Sequence, residues 1–128
     1  MRDTQTITPT DLWTYRDYDT WRGTDITGFS VEATDGGIGS VDEATYDVGT
    51  SYIVVDTGPW IFGKKVMLPA GVIDRVSVDD RRVFLTLTKD EIENAPEFDA
   101  STYREESYRT GLADYYGRRR TGFRDMER

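Results

Sequence analysis

The groups that could do chemistry in this 128-residue chain are carboxylates, hydroxyls and a few cations, because it contains no histidine and no cysteine. That removes the side chains most soluble enzymes use as a base near neutral pH or as a thiolate nucleophile, and with them any disulfide framework or thiolate zinc site. Carboxylates stand in adjacent pairs at Asp42/Glu43, Asp79/Asp80, Asp90/Glu91 and Glu105/Glu106. Such pairs can share a proton or hold a hard cation, but neighbours on a strand point to opposite faces and the spacing of a calcium loop is absent. They read as turns, helix starts and solvated acidic surface. The one glycine-rich loop, Asp35-Gly36-Gly37-Ile38-Gly39, carries neither the dinucleotide fingerprint nor a Walker lysine, and reads as a hairpin whose glycines supply positive φ. No catalytic, cofactor-binding or metal-binding residue is assigned.

Residues suited to contact are more numerous. Trp60, Ile61 and Phe62 stand between Gly58-Pro59 and Gly63-Lys64-Lys65, and two aromatics in a turn are costly to leave in water. They meet a protein partner or cap the chain's own core. Tyr103, Tyr108, Leu112, Tyr115 and Tyr116 recur at helical spacing, a stripe for another subunit or for the chain's own body. Trp13, Tyr15, Tyr18 and Trp21 are too many large aromatics for a disordered arm, and must dock. Arg118-Arg119-Arg120 has the chemistry to touch nucleic acid, but 24 acidic against 16 basic residues give a net charge of −8. That field repels phosphate backbones and anionic headgroups, so nucleic acid and membrane are poor partners and the arginines read as a solvated tail.

The elements that position these residues are short strands. Phe29, Val31 and Ala33 alternate with Ser30, Glu32 and Thr34 in a first half-buried strand, closed by the turn at Asp35-Gly36-Gly37. A return strand over 38–44 slips out of strict alternation, and Gly39 marks a bulge or a close backbone approach. Tyr52-Ile53-Val54-Val55 is apolar on both faces and predicts a central strand. Lys65-Val66-Met67-Leu68, stopped by Pro69, gives a fourth strand, 72–78 a fifth, and Val83, Leu85 and Leu87 a sixth, with 79–82 as the hairpin between the last two. Thr88-Lys89-Asp90-Glu91 is a capping box with Leu87 and Ile92 as its staple, so a short helix follows and stops by Pro96. A second helix is expected in the Tyr-rich segment, with Gly117 as its C-terminal stop.

The quoted residues carry a resemblance. Ile26-Thr27-Gly28-Phe29-Ser30-Val31, Asp35 to Val41, Tyr52 to Val55, Leu68-Pro69-Ala70-Gly71-Val72-Ile73 and Thr88 to Ile92 together resemble the PRC-barrel family. This is the small β-barrel of the cytoplasmic domain of the photosynthetic reaction centre H subunit and of ribosome-maturation factors. The resemblance spans a little over half the chain and implies a scaffold without a catalytic motif. It does not carry over the transmembrane anchor of the first relative or the preceding domain of the second.

The expectation is an all-β fold: a small six-stranded antiparallel PRC-type barrel over 28–98, a short helix after the last strand, an N-terminal extension over 1–27 and a partly helical, Tyr-rich extension over 99–128. Closure removes the unpaired edges a flat sheet exposes. The opening residues lack the apolar run of a signal peptide, so a soluble, cytoplasmic chain is expected. The expected function is non-catalytic, with Trp60, Ile61, Phe62, Tyr108, Tyr115 and Tyr116 binding a protein partner or a second copy, and no cofactor. The alternative is an RNA- or ribosome-associated accessory role, which requires a basic footprint. An enzyme using carboxylates with Tyr or Lys comes third, and requires a pocket with convergent acids.

Overall fold

The computed structural model describes residues 12–47, 49–58, 65–95 and 105–125, with side chains as far as 117. Six strands form one sheet: β1 (Ser30–Ala33), β2 (Gly36–Ala44), β3 (Tyr52–Asp56), β4 (Lys65–Pro69), β5 (Ile73–Ser77) and β6 (Arg82–Leu85). The alternation in the sequence becomes alternation in burial. Val31 and Ala33 of β1 and Val83 and Leu85 of β6 point inward, while Ser30 and Arg82 face solvent. β3 is buried from Tyr52 to Val55 and lies between β2 and β4, where a run apolar on both faces belongs.

The strand order is β4-β3-β2-β1-β6-β5. β1 to β4 form an antiparallel meander, and the β5–β6 hairpin returns to the free side of β1. That last pairing, Val31 opposite Val83, is parallel. The sheet is therefore mixed, where a wholly antiparallel one was expected. The hydrogen-bonded order is also open, ending at β4 and β5, rather than closed as a barrel. Alternation within a strand fixes which face is buried but says nothing about which distant strand lies beside it, and β1 and β6 are separated by four other strands in the chain. The fifth strand is shorter than expected because residues Ala70–Val72 form a buried 3-10 turn directly after Pro69.

Two helices follow. In α1 (Lys89–Glu93), the Thr88 amide donates to Glu91 Oε1 at 2.9 Å, and the Glu91 amide donates to Thr88 Oγ1 at 3.2 Å, completing the capping box. Leu87 and Ile92, its staple, are both buried. The Asp35 carboxylate in the β1–β2 turn accepts from the Lys89 amide at 2.9 Å and ties that hairpin to the helix start. The second helix, α2 (Glu106–Asp125), continues through Gly117 rather than ending there. Glycine weakens a helix interior by only about 1 kcal/mol and stops one only where a left-handed cap forms, and Gly117 has no positive φ. Among the described residues no helix is long and apolar enough to cross a membrane.

One core joins the sheet to both extensions. Leu12, Trp13, Tyr15 and Trp21 from the N-terminal side, and Leu112 and Tyr116 from α2, belong to the same buried cluster as Ile53, Leu68 and Val83. A sheet of this size buries little apolar surface alone, so the aromatics at both ends complete it.

Candidate functional site

The glycine-rich loop does structural work. Gly36 and Gly39 hold φ of 139° and 149°. A Cβ on Gly39 would stand 1.9 Å from the Asp56 carbonyl oxygen, so β2 and the end of β3 approach at backbone distance there. The ladder shifts register on both sides of this point, between Val31 and Glu32 and between Val41 and Glu43. Sequence reading anticipated the close approach, and its partner is β3.

The paired carboxylates diverge, as neighbours on a strand must. Asp42 pairs with Lys65 Nζ at 2.9 Å, whereas Glu43 Oε2 accepts from the Tyr52 hydroxyl at 3.2 Å. Asp80 accepts from the Ser77 hydroxyl in the β5–β6 turn, and Asp90 and Glu91 occupy the first turn of α1. Among the described residues, Asp25 is a carboxylate whose surroundings shift it. The Thr27 amide first, then the Thr27 hydroxyl and the Tyr46 phenol, donate to it and hold it below the usual carboxylate range. It fixes a turn at the surface.

The aromatic residues gather into two docking seams. In the first, Tyr15, Tyr18 and Trp21 from the N-terminal segment pack with Tyr46 at ring separations of 4.8 to 6.3 Å, Trp21 standing edge-on to the other three. The Tyr15 hydroxyl donates to the Thr45 carbonyl, and the Ser51 amide donates to the Trp13 carbonyl at 2.8 Å, so the segment is pinned by its backbone as well. In the second, Arg109 of α2 lays its guanidinium 4.2 Å over Trp13 and 5.4 Å from Tyr52, and donates to the Thr50 carbonyl at 3.3 Å. It joins α2, the N-terminal segment and β3 in one contact. Sequence reading missed Arg109, and no local pattern could have found it, because its partners Trp13, Thr50 and Tyr52 lie far from it along the chain.

Of the expected partner-binding residues, Tyr116 is 0% exposed in the chain's own core. Tyr108 and Tyr115 are half-buried beside it, and the Tyr115 hydroxyl donates to the Glu91 carbonyl. Within one molecule these three tyrosines hold α2 to the body. Trp60, Ile61 and Phe62 lie outside the described residues. Their flanks are placed: Asp56 pairs with Lys65 across β3 and β4, so residues 57–64 form the connection of an antiparallel pair. The connection leaves the sheet through Gly58, whose amide donates to Asp56 Oδ1 at 3.0 Å. Among the described residues Val78 is the one large hydrophobic left exposed.

Burial of the tyrosines makes the protein sensitive to alkali. Desolvation, followed by the nearby Tyr46, Tyr18 and Tyr52, pushes the Tyr15 phenol far up, and burial pushes Tyr108 up to about 12. In the unfolded chain these phenols ionise near about pH 10. The stability they contribute is therefore whole below that pH and lost as pH rises toward the folded values. Melting followed by circular dichroism is expected to show a midpoint that falls steeply above about pH 10, with part of the phenolate absorbance appearing only on unfolding. Ionisation of all eight tyrosines near that pH in a still-folded protein contradicts it.

Comparison with protein-family profiles and with curated proteins gives no match.

Proposed function

We propose that the chain is a non-catalytic binding or assembly module of PRC-barrel type, acting in the cytoplasm, that takes a protein surface against Trp60, Ile61 and Phe62. That surface belongs to a second copy or to another chain. The observation carrying this reading is the apolar bookkeeping of the surface. The described aromatics of both extensions are buried or half-buried against the chain's own core, and Val78 alone among the described large hydrophobics is exposed. The apolar trio that the sequence sets between β3 and β4 is then the contact group we propose, with Lys64 and Lys65 beside it in the sequence as a charged rim.

The barrel reading has geometric support. A flat six-stranded sheet would set its two edge strands roughly 24 Å apart, at five inter-strand spacings. Yet β4 ends at Pro69 and β5 begins at Ile73, and that length of chain reaches at most about 14 Å. A rolled sheet meets that constraint, which supports the barrel reading. The alternative role on RNA or the ribosome needs free cations, and many are engaged: Arg16 with Asp74, Arg22 with Asp19, Lys65 with Asp42, Arg82 with Glu32.

Light scattering on the purified protein, wild type against Trp60→Ala/Phe62→Ala, tests the proposal alongside recovery of partners from the native cytoplasm. The double substitution is expected to lower the molar mass or to abolish a partner recovered by the wild type, with the melting temperature unchanged. A monomer whose recovered partners do not differ between the two proteins overturns the reading.

A further inference from the structure

The outer face of the β5–β6–β1 sheet is built from Arg75 and Ser77 on β5, Arg82 and Phe84 on β6, and Ser30 and Glu32 on β1. Arg75 pairs with Phe84 and Ser77 with Arg82 across the hairpin. The Arg75 guanidinium lies 3.9 Å over the half-buried Phe84 ring, and the Arg81 guanidinium lies 5.2 Å over Phe29 at the turn. Acids outnumber bases 24 to 16 in this chain, yet among the described residues neither arginine has a carboxylate partner. Arg82 between them is satisfied by Glu32 at 3.2 Å, Asp74 is taken by Arg16, and Asp80 turns back to the Ser77 hydroxyl. A guanidinium held over a ring face is already partly ordered and loses less freedom when a carboxylate arrives.

Arg81 adds a second observation. It sits at φ 55°, in the left-handed region that glycine or asparagine usually fills in such a turn, and it is one of two described non-glycine residues with positive φ. An arginine at such a φ is a strained outlier, the kind of feature that clusters at functional sites.

We infer that the β5–β6 hairpin is a docking surface for a carboxylate-rich segment of a protein partner, with Arg75 and Arg81 as the two carboxylate-binding forks and Phe84 as the platform beneath the first. The inference rests on the reading of the chain as a protein-binding module and names the chemistry of its partner. It places the contact on a surface separate from the β3–β4 connection. A carboxylate segment fits better than a nucleic acid. Two guanidiniums match two side-chain carboxylates, whereas a nucleic-acid backbone needs a continuous basic track, and Asp79 and Asp80 stand between the two arginines in the turn.

The test is fluorescence polarisation of a labelled octaglutamate peptide at physiological ionic strength, with a labelled RNA octamer as the competing chemistry. Wild type is expected to bind octaglutamate, Arg75→Ala and Arg81→Gly each to weaken it at least about fivefold, and the double variant to lose it. Arg81→Gly is the decisive variant, because it relieves the backbone and is expected to raise the melting temperature while lowering binding. Trp60→Ala/Phe62→Ala is expected to bind octaglutamate as wild type does, so failure of the β3–β4 contact and failure of this one are read separately. No binding of octaglutamate, binding that survives both arginine substitutions, or tighter binding of the RNA overturns the inference.

Discussion

Gly39→Ala is expected to destabilise the protein by on the order of 3–5 kcal/mol, the range reached when a substitution forces strain into a packed site. Two effects act together. The φ of 149° disfavours any side chain, and the added carbon would stand 1.9 Å from the Asp56 carbonyl oxygen. That neighbour is backbone at the end of β3, so no flexible group can yield, and β2 and β3 must separate. Each kcal/mol is worth roughly 4 °C in a domain of this size, so the melting temperature should drop by about 12–20 °C. Gly111→Ala and Gly117→Ala are the matched comparison. Both lie in α2 with open space around the new carbon, and each should stabilise by up to about 1 kcal/mol. A Gly39→Ala protein that melts like wild type would mean that β2 does not meet β3 at that point.

Tyr116→Ala is expected to cost about 3–5 kcal/mol, the usual loss for removing a fully buried aromatic side chain. Tyr116 packs in the shared core with Leu112 and edge-on to Tyr115 at 5.0 Å. Its loss loosens the seat of α2, and with it the Arg109 stack on Trp13, so the N-terminal segment should lose order too. Thr110→Ala, exposed on the same helix, should change stability by no more than about 0.5 kcal/mol. Denaturant midpoints for the two variants check the contrast. Equal midpoints would show that α2 is not part of the core.

What could be read from the sequence was what is local. Val31, Ala33, Val83 and Leu85 declared their buried face by alternation, Tyr52 to Val55 declared an interior strand, and Thr88 with Glu91 declared the start of α1. Gly39 signalled a close approach without naming Asp56. What could not be read was long-range. The parallel pairing of β1 with β6 rests on which strand edge remains free after the meander forms. The stack of Arg109 on Trp13 joins opposite ends of the chain. Tyr108, Tyr115 and Tyr116 show the same divide: helical spacing identified a sticky stripe, but not whether it meets a partner or the chain's own sheet. Tyr116 is buried in the chain's own core, with Tyr108 and Tyr115 half-buried against it.

Native-state hydrogen exchange of the dilute protein tests that division of labour most directly. If both extensions belong to one cooperative core, amides in 112–116 of α2 should exchange only through the same global opening that exposes 53–55 of β3, with matching dependence on denaturant. Exchange in 112–116 at rates near those of an isolated helix, while β3 stays protected, would return the tyrosines to the surface and contradict the account.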